Sequence, residues 1–229
     1  MQWSPRVEIV EIMIVVYIGR SAQINNIMRT HAVCVIVIVL IPCYNDPTYM
    51  KLIFVRHGQT DFNKKGIVQG QEKDIPLNDD GRAQVEKTAT TITKNVDRII
   101  SSPLARARET AEIINKRLHR GVEFSDELKE FSYGSLAGKT WAEIEKITGD
   151  PDIHAKDENV MFDHRPFGGE SAQDVKARVK HFVDQVAATH SDETMVVTAH
   201  GGIIDTMHAL YPQKERPSRD NASIHIFEL

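Results

Sequence analysis

Hydrophobic positions in this chain switch repeatedly between a strand-like and a helix-like period. Short apolar runs of strand length lie at residues 51–55 (KLIFV), 97–101 (DRIIS), 122–124 and 194–198 (TMVVT). Residues 223–228 alternate through Ile224 and Ile226 to end on Phe227, which predicts a last edge strand. Helical stripes fill the intervals. Asn78 reads as the N-cap of a helix over 79–94, with Asp79 and Asp80 favourable at its positive end. In SSPLARARETAEIINKRL, Ser102 can cap and Pro103 suits the first helical position, while Leu104, Ala107, Ala111, Ile114 and Leu118 form the inward stripe. Further helices are predicted around 140–147, over 170–189 with Val175, Val179, Phe182, Val183 and Val186 on one face, and over 203–210. Strands alternating with helices imply an α/β fold: a three-layer sandwich whose mostly parallel central sheet is flanked by helices.

Residues 66–76 and 128–138 are glycine-punctuated and read as loops; residues 149–169 carry prolines, histidines and acids without periodicity and read as one long loop, of the kind that often covers a site. Residues 1–49 differ in character. Their two apolar stretches, 9–18 and 32–41, fall short of the roughly 20 residues a membrane-spanning helix needs, and Glu11 interrupts the first. Because Met50 directly precedes the first strand of the ordered pattern, the expectation is a domain over 50–229 preceded by upstream sequence, with an extra strand pair or a weak membrane anchor as the alternatives.

Composition narrows the picture by exclusion. A charged fraction of 26% and a hydrophobic fraction of 41% are those of a soluble globular protein, expected in the cytoplasm. A net charge of −4 supplies no basic field for sequence-independent nucleic-acid binding, so any anion site is local. Cys34 and Cys43 stand outside any zinc-ligand or disulfide pattern, and no metal site is expected.

The chemistry gathers at strand ends. Arg56, His57 and Gly58 follow the 51–55 run; a guanidinium grips two phosphate oxygens, an unprotonated imidazole nitrogen can attack phosphorus, and a glycine lets the chain turn tightly with its N–H groups near an anion. Arg106 follows the second strand, and His200 with Gly201 follows the 194–198 run. Taken singly these residues have plain alternatives. Arg56 and His57 could merely end a strand in solvent, Arg106 shares its helix with Arg108, Lys116 and Arg117, and His200 could be a satisfied strand-end histidine.

Four pieces in order resolve the ambiguity: RHGQTDFN (56–63), SSPLARARETA (101–111), LKEFSYGSLAG (128–138) and TAHGG (198–202). With them, residues 50–229 resemble the histidine phosphatase superfamily, the phosphoglycerate mutase-like fold. The resemblance implies that His57 is the residue phosphorylated, that Arg56, Asn63, Arg106 and His200 hold the phosphoryl group, with Gly58, Gln59, Thr60 and Gly201 at the same site, and that Glu130 is the proton donor. On acidity alone Glu123, Asp126 and Glu127 would compete with Glu130, and only the match to EFSYGSLAG selects it. Seven further histidines within residues 50–229, His119, His154, His164, His181, His190, His208 and His225, lack a motif and read as structural or surface residues.

The activity implied is hydrolysis of a small-molecule phosphate monoester through a phosphohistidine, without metal or cofactor. Mutases of the family usually carry a tryptophan soon after RHG, where this chain has Phe62, and a longer insertion near the acid; mutase-type phosphoryl transfer and a non-catalytic phospho-ligand-binding module are the alternatives.

Overall fold

In the computed structural model, residues 12–19, 33–40 and 50–229 are described, and the chain divides into two compact units, Met1–Pro47 and Thr48–Leu229. In the first unit, β1 (Ile12–Gly19) and β2 (Val33–Leu40) pair antiparallel, Ile12 opposite Leu40 and Gly19 opposite Val33. The rest of residues 1–49 lies outside the described residues.

The second unit is built on a five-stranded sheet. Its strands are β3 (Lys51–Arg56), β4 (Arg98–Ser101), β5 (Glu123–Phe124), β6 (Thr194–Ala199) and β7 (Ile224–Glu228), in the spatial order β5-β4-β6-β3-β7. Every pairing is parallel except that of β7 with β3. The strand period divides the core in two. Leu52, Phe54, Met195 and Val197 face one layer, where they meet Phe131, Leu136, Ile144, Phe182 and Met207; Ile53, Val55, Val196 and Ile99 face the other, against Val85, Ala89, Ala111 and Ile114. The helices α2 (Asp79–Thr91) and α3 (Ala105–Leu118) supply the second layer; α4 (Trp141–Thr148), α6 (Ala172–Thr189) and α7 (Gly201–Leu210) supply the first. This is the expected three-layer α/β architecture.

Three local expectations need correction, and one short helix forms where no element was predicted. Pro103 lies outside its helix: α3 starts at Ala105, and the Asp74 carboxylate, 2.6 Å from the Ala105 N–H, takes the capping role assigned to Ser102. Residues 61–64 form a short helix, α1 (Asp61–Lys64), closed by a reciprocal cap between Thr60 and Asn63. The 149–169 segment is not one loop. It contains α5 (Ile153–Glu158) and a 3₁₀ turn (Arg165–Phe167), and it buries Ile153, Val160 and Phe162 in the core, contacts too few and too irregularly spaced to show as a period. Finally, Gly201 and Gly202 form the first turn of α7 rather than a loop before it.

Candidate active site

Parallel strands with helices after them bring the carboxyl ends of β3, β4 and β6 to one edge of the sheet, the place where open α/β sheets bind ligands. A cavity of about 280 Å³ opens there. Arg56, His57, Asn63, Arg106, Glu130 and Gly201 line it. These come from five separated parts of the chain.

His57 is buried at the end of β3, and its Nδ1 lies 2.7 Å from the Gly58 carbonyl oxygen. A carbonyl can only accept, so Nδ1 carries the hydrogen and Nε2 keeps its lone pair. Burial, followed by the Arg106 and Arg56 guanidiniums, holds the His57 pKa well below the ordinary imidazole value. The ring is therefore neutral at neutral pH.

The two guanidiniums are fixed by backbone. Arg106 donates to the carbonyls of Gly70 (2.9 Å) and Lys73 (3.2 Å), and Arg56 donates to the Arg219 carbonyl. Residues 66–76, bland in sequence, thus aim Arg106. On both arginines Nε is buried without a partner. Burial lowers both pKa values, that of Arg106 to about 10, so both remain cations at neutral pH. Asn63 accepts at Oδ1 from the Thr60 N–H (3.1 Å) and hydroxyl (3.0 Å), which leaves its Nδ2 for the cavity.

His200 is fully buried and stands beside His57, ring centroids 5.2 Å apart, rather than in the cavity wall. Ser102 Oγ accepts from the Leu104 N–H at 3.3 Å and is hydrogen-bonded to His200 Nε2 at 2.8 Å. His200 Nδ1 has no protein partner. Burial and then Arg106 hold the His200 pKa well below the imidazole value.

Glu130 lines the same cavity, its carboxylate held by the N–H groups of Phe131 (3.0 Å) and Gly202 (3.3 Å). Burial raises its pKa, while Arg106 and the two N–H groups pull it back only in part. A carboxyl kept towards its protonated form facing a neutral imidazole is a general-acid and nucleophile arrangement.

Three sequence candidates sit elsewhere. Gly58 packs on α2, where a Cβ would meet Gly81 O at 2.5 Å, and its N–H goes to Thr110 (3.2 Å). Gln59 binds Gln84 through its N–H, and Thr60 is buried as the α1 cap. None of the three lines the cavity. Sequence reasoning missed Tyr133, Trp141, His154, Asp157, Glu158 and Arg219, which do. His154 stacks on Trp141 with centroids 4.4 Å apart, so it belongs to the cavity mouth and not to the motif-free background. Glu158 pairs with Arg219 (2.6 Å) across that mouth. Of these only Tyr133 lay inside a recognised motif.

A cavity at the carboxyl ends of parallel strands, lined by a neutral histidine, two guanidiniums and a carboxyl group, is that of an α/β protein built to hold a phosphate-like anion. The chain belongs to the histidine phosphatase superfamily (branch 1), whose profile matches residues 52–229. It is 31% identical over 194 residues to phosphoglycerate mutase-like protein 4 of Arabidopsis thaliana, covering 80% of this chain and 81% of that protein. It is 33% identical over 187 residues to the metal-independent phosphoserine phosphatase of the same plant, covering 78% and 76%. Among solved structures, a mycobacterial glucosyl-3-phosphoglycerate phosphatase in complex with VO3 superposes with a TM-score of 0.66 at 31% identity, over 77% of this chain and 92% of that one.

Proposed function

We propose that this protein hydrolyses small phosphate monoesters through a phosphohistidine on His57, with Glu130 as proton donor and without a metal ion. The observation that carries the reading is the tautomer of His57: Gly58 O fixes the proton on Nδ1, so the unprotonated Nε2 is available between Arg56 and Arg106. In the first step Nε2 attacks phosphorus while the bond to the leaving oxygen breaks, and Glu130 gives that oxygen its proton. In the second, water loses a proton to the Glu130 carboxylate as it attacks the phosphohistidine; inorganic phosphate leaves and both groups return to their starting forms. The negative charge on the transferring oxygens meets Arg56, Arg106, Asn63 Nδ2 and the N-terminal turn of α7 at Gly201. These donors supply charge stabilisation from the chain itself, and the metal-independent name of one relative is in keeping with that. The VO3 in the mycobacterial phosphatase complex is in keeping with a phosphoryl site, since such an oxyanion can stand in for a phosphoryl group.

His57→Ala should abolish turnover of 4-nitrophenyl phosphate and the acid-labile phosphate label trapped on the protein by rapid quench. Wild-type turnover without any such label, or turnover that chelator removes and only a divalent cation restores, would refute the reading. Assaying phosphoglycerates for release of free phosphate against isomerisation separates hydrolysis from transfer.

A further inference from the structure

Resting on the proton-donor role just proposed for Glu130, we infer that Arg178 is the positioning residue of the acid: with Glu170 it locks the Glu130–Phe131 peptide plane, and that plane aims the donor. Arg178 lies on α6, outside the cavity wall, and every one of its five N–H groups is used. Nε and one terminal nitrogen form a two-pronged pair with Glu170 (2.9 and 3.1 Å). The other nitrogen donates to the carbonyls of Glu127 (2.6 Å) and Lys129 (2.7 Å), and the shared one also reaches the Glu130 carbonyl at 3.1 Å. Glu170 completes the hold by accepting from the Ser132 N–H (2.9 Å). One partly buried ion pair thus fixes four backbone groups on both sides of the acid.

The consequence for chemistry comes from peptide planarity. The Glu130 carbonyl and the Phe131 N–H belong to the same planar unit, pointing in opposite directions. Arg178 holds the carbonyl end, while the N–H end donates to Glu130 Oε1 at 3.0 Å. Releasing the carbonyl frees the plane to turn, and the carboxyl then loses one of its two protein donors and its fixed direction towards the cavity. The nucleophile is not touched: His57, Arg56 and Arg106 donate their hydrogen bonds to the carbonyls of Gly58, Arg219, Gly70 and Lys73. A lysine at 178 keeps the charge but cannot form the fork.

The test is the dependence of kcat/KM on leaving-group basicity across substituted phenyl phosphates, because kcat/KM reports the first step and only poor leaving groups need the proton. Arg178→Gln should lose about 10-fold to 100-fold on phenyl phosphate but stay within about threefold of wild type on 4-nitrophenyl phosphate, with Arg178→Lys in between. Glu170→Gln, which retains an acceptor for Ser132, should show the same selective loss more weakly, and it decides the matter if Arg178→Gln does not fold. Equal losses on all esters in a variant that still melts cooperatively, or no loss on any, would overturn the inference. Failure of His57 to become labelled in wild type would instead overturn the parent reading, whatever Arg178 does.

Discussion

Around the acid, function depends on single atoms. A Cβ on Gly202 would lie 2.5 Å from the Phe131 ring and 2.6 Å from Glu130 Oε1, so even a methyl group competes for the space of the Glu130 carboxyl. Gly202→Ala should therefore lower kcat/KM selectively for poor leaving groups and cost about 1–3 kcal/mol of stability, read from a denaturant melt. A change in stability without leaving-group selectivity would mean that Phe131 alone had moved. Glu130→Gln should show the same selectivity more strongly, since it removes the proton itself.

At the scale of elements, α7 and β7 meet through a buried histidine pair. His208 Nε2 lies 3.0 Å from His225 Nδ1, and Ser223 Oγ lies 3.1 Å from His225 Nε2. Burial lowers the pKa of both, with His208 and the Arg216 and Arg56 cations adding to the effect on His225, which falls to about 4. A histidine whose folded pKa lies below the unfolded value, about 6.5, binds fewer protons in the folded state. Its contribution is therefore fully present above pH 6.5 and is lost as the pH falls towards 4. His57 and His200 are shifted in the same direction, so all four rings act together. Unfolding free energy should drop as the pH is lowered from 7 to 5, and His225→Asn should remove part of that slope, on the order of 2 kcal/mol between pH 6.5 and 4. An unchanged slope in the variant would show that the other rings carry the acid sensitivity.

For the whole molecule, the second unit closes on itself. The Met50 N–H and carbonyl bond to the Leu229 carbonyl (3.1 Å) and N–H (3.0 Å), so both ends of the 50–229 region are sealed against each other by the sheet. We propose that this region is a self-sufficient domain. A chain beginning at Met50 should keep its Tm and its kcat/KM on 4-nitrophenyl phosphate, and should be more soluble without VCVIVIVLI, an apolar β-branched run. Loss of cooperative melting in the shortened chain would show that the boundary lies further upstream. Among the described residues no helix is long and apolar enough to cross a membrane.

What the sequence determined by itself was whatever local order encodes. The alternation of apolar runs and helical stripes was enough for a parallel sheet between helical layers, because strand and helix periods are properties of neighbours along the chain. Asn78 capped its helix as read, its Oδ1 accepting the Gly81 N–H at 2.8 Å. The motifs marked Arg56, His57, Arg106 and Glu130, and the fold places all four around one cavity. Tertiary structure decided the rest. No local rule could show that Asp74 would cap α3 in place of Ser102, that residues 153–158 would be helical, or that the carbonyls of Gly70 and Lys73 would hold Arg106. Nor could spacing separate Gly58, Gln59 and Thr60, which support the site from behind, from Asn63, which faces the cavity; that distinction depends on how α1 and α2 pack. The tautomer of His57, the raised pKa of Glu130 and the hold of Arg178 on its peptide all arise between residues distant in sequence or from burial, and burial exists only once the chain has folded.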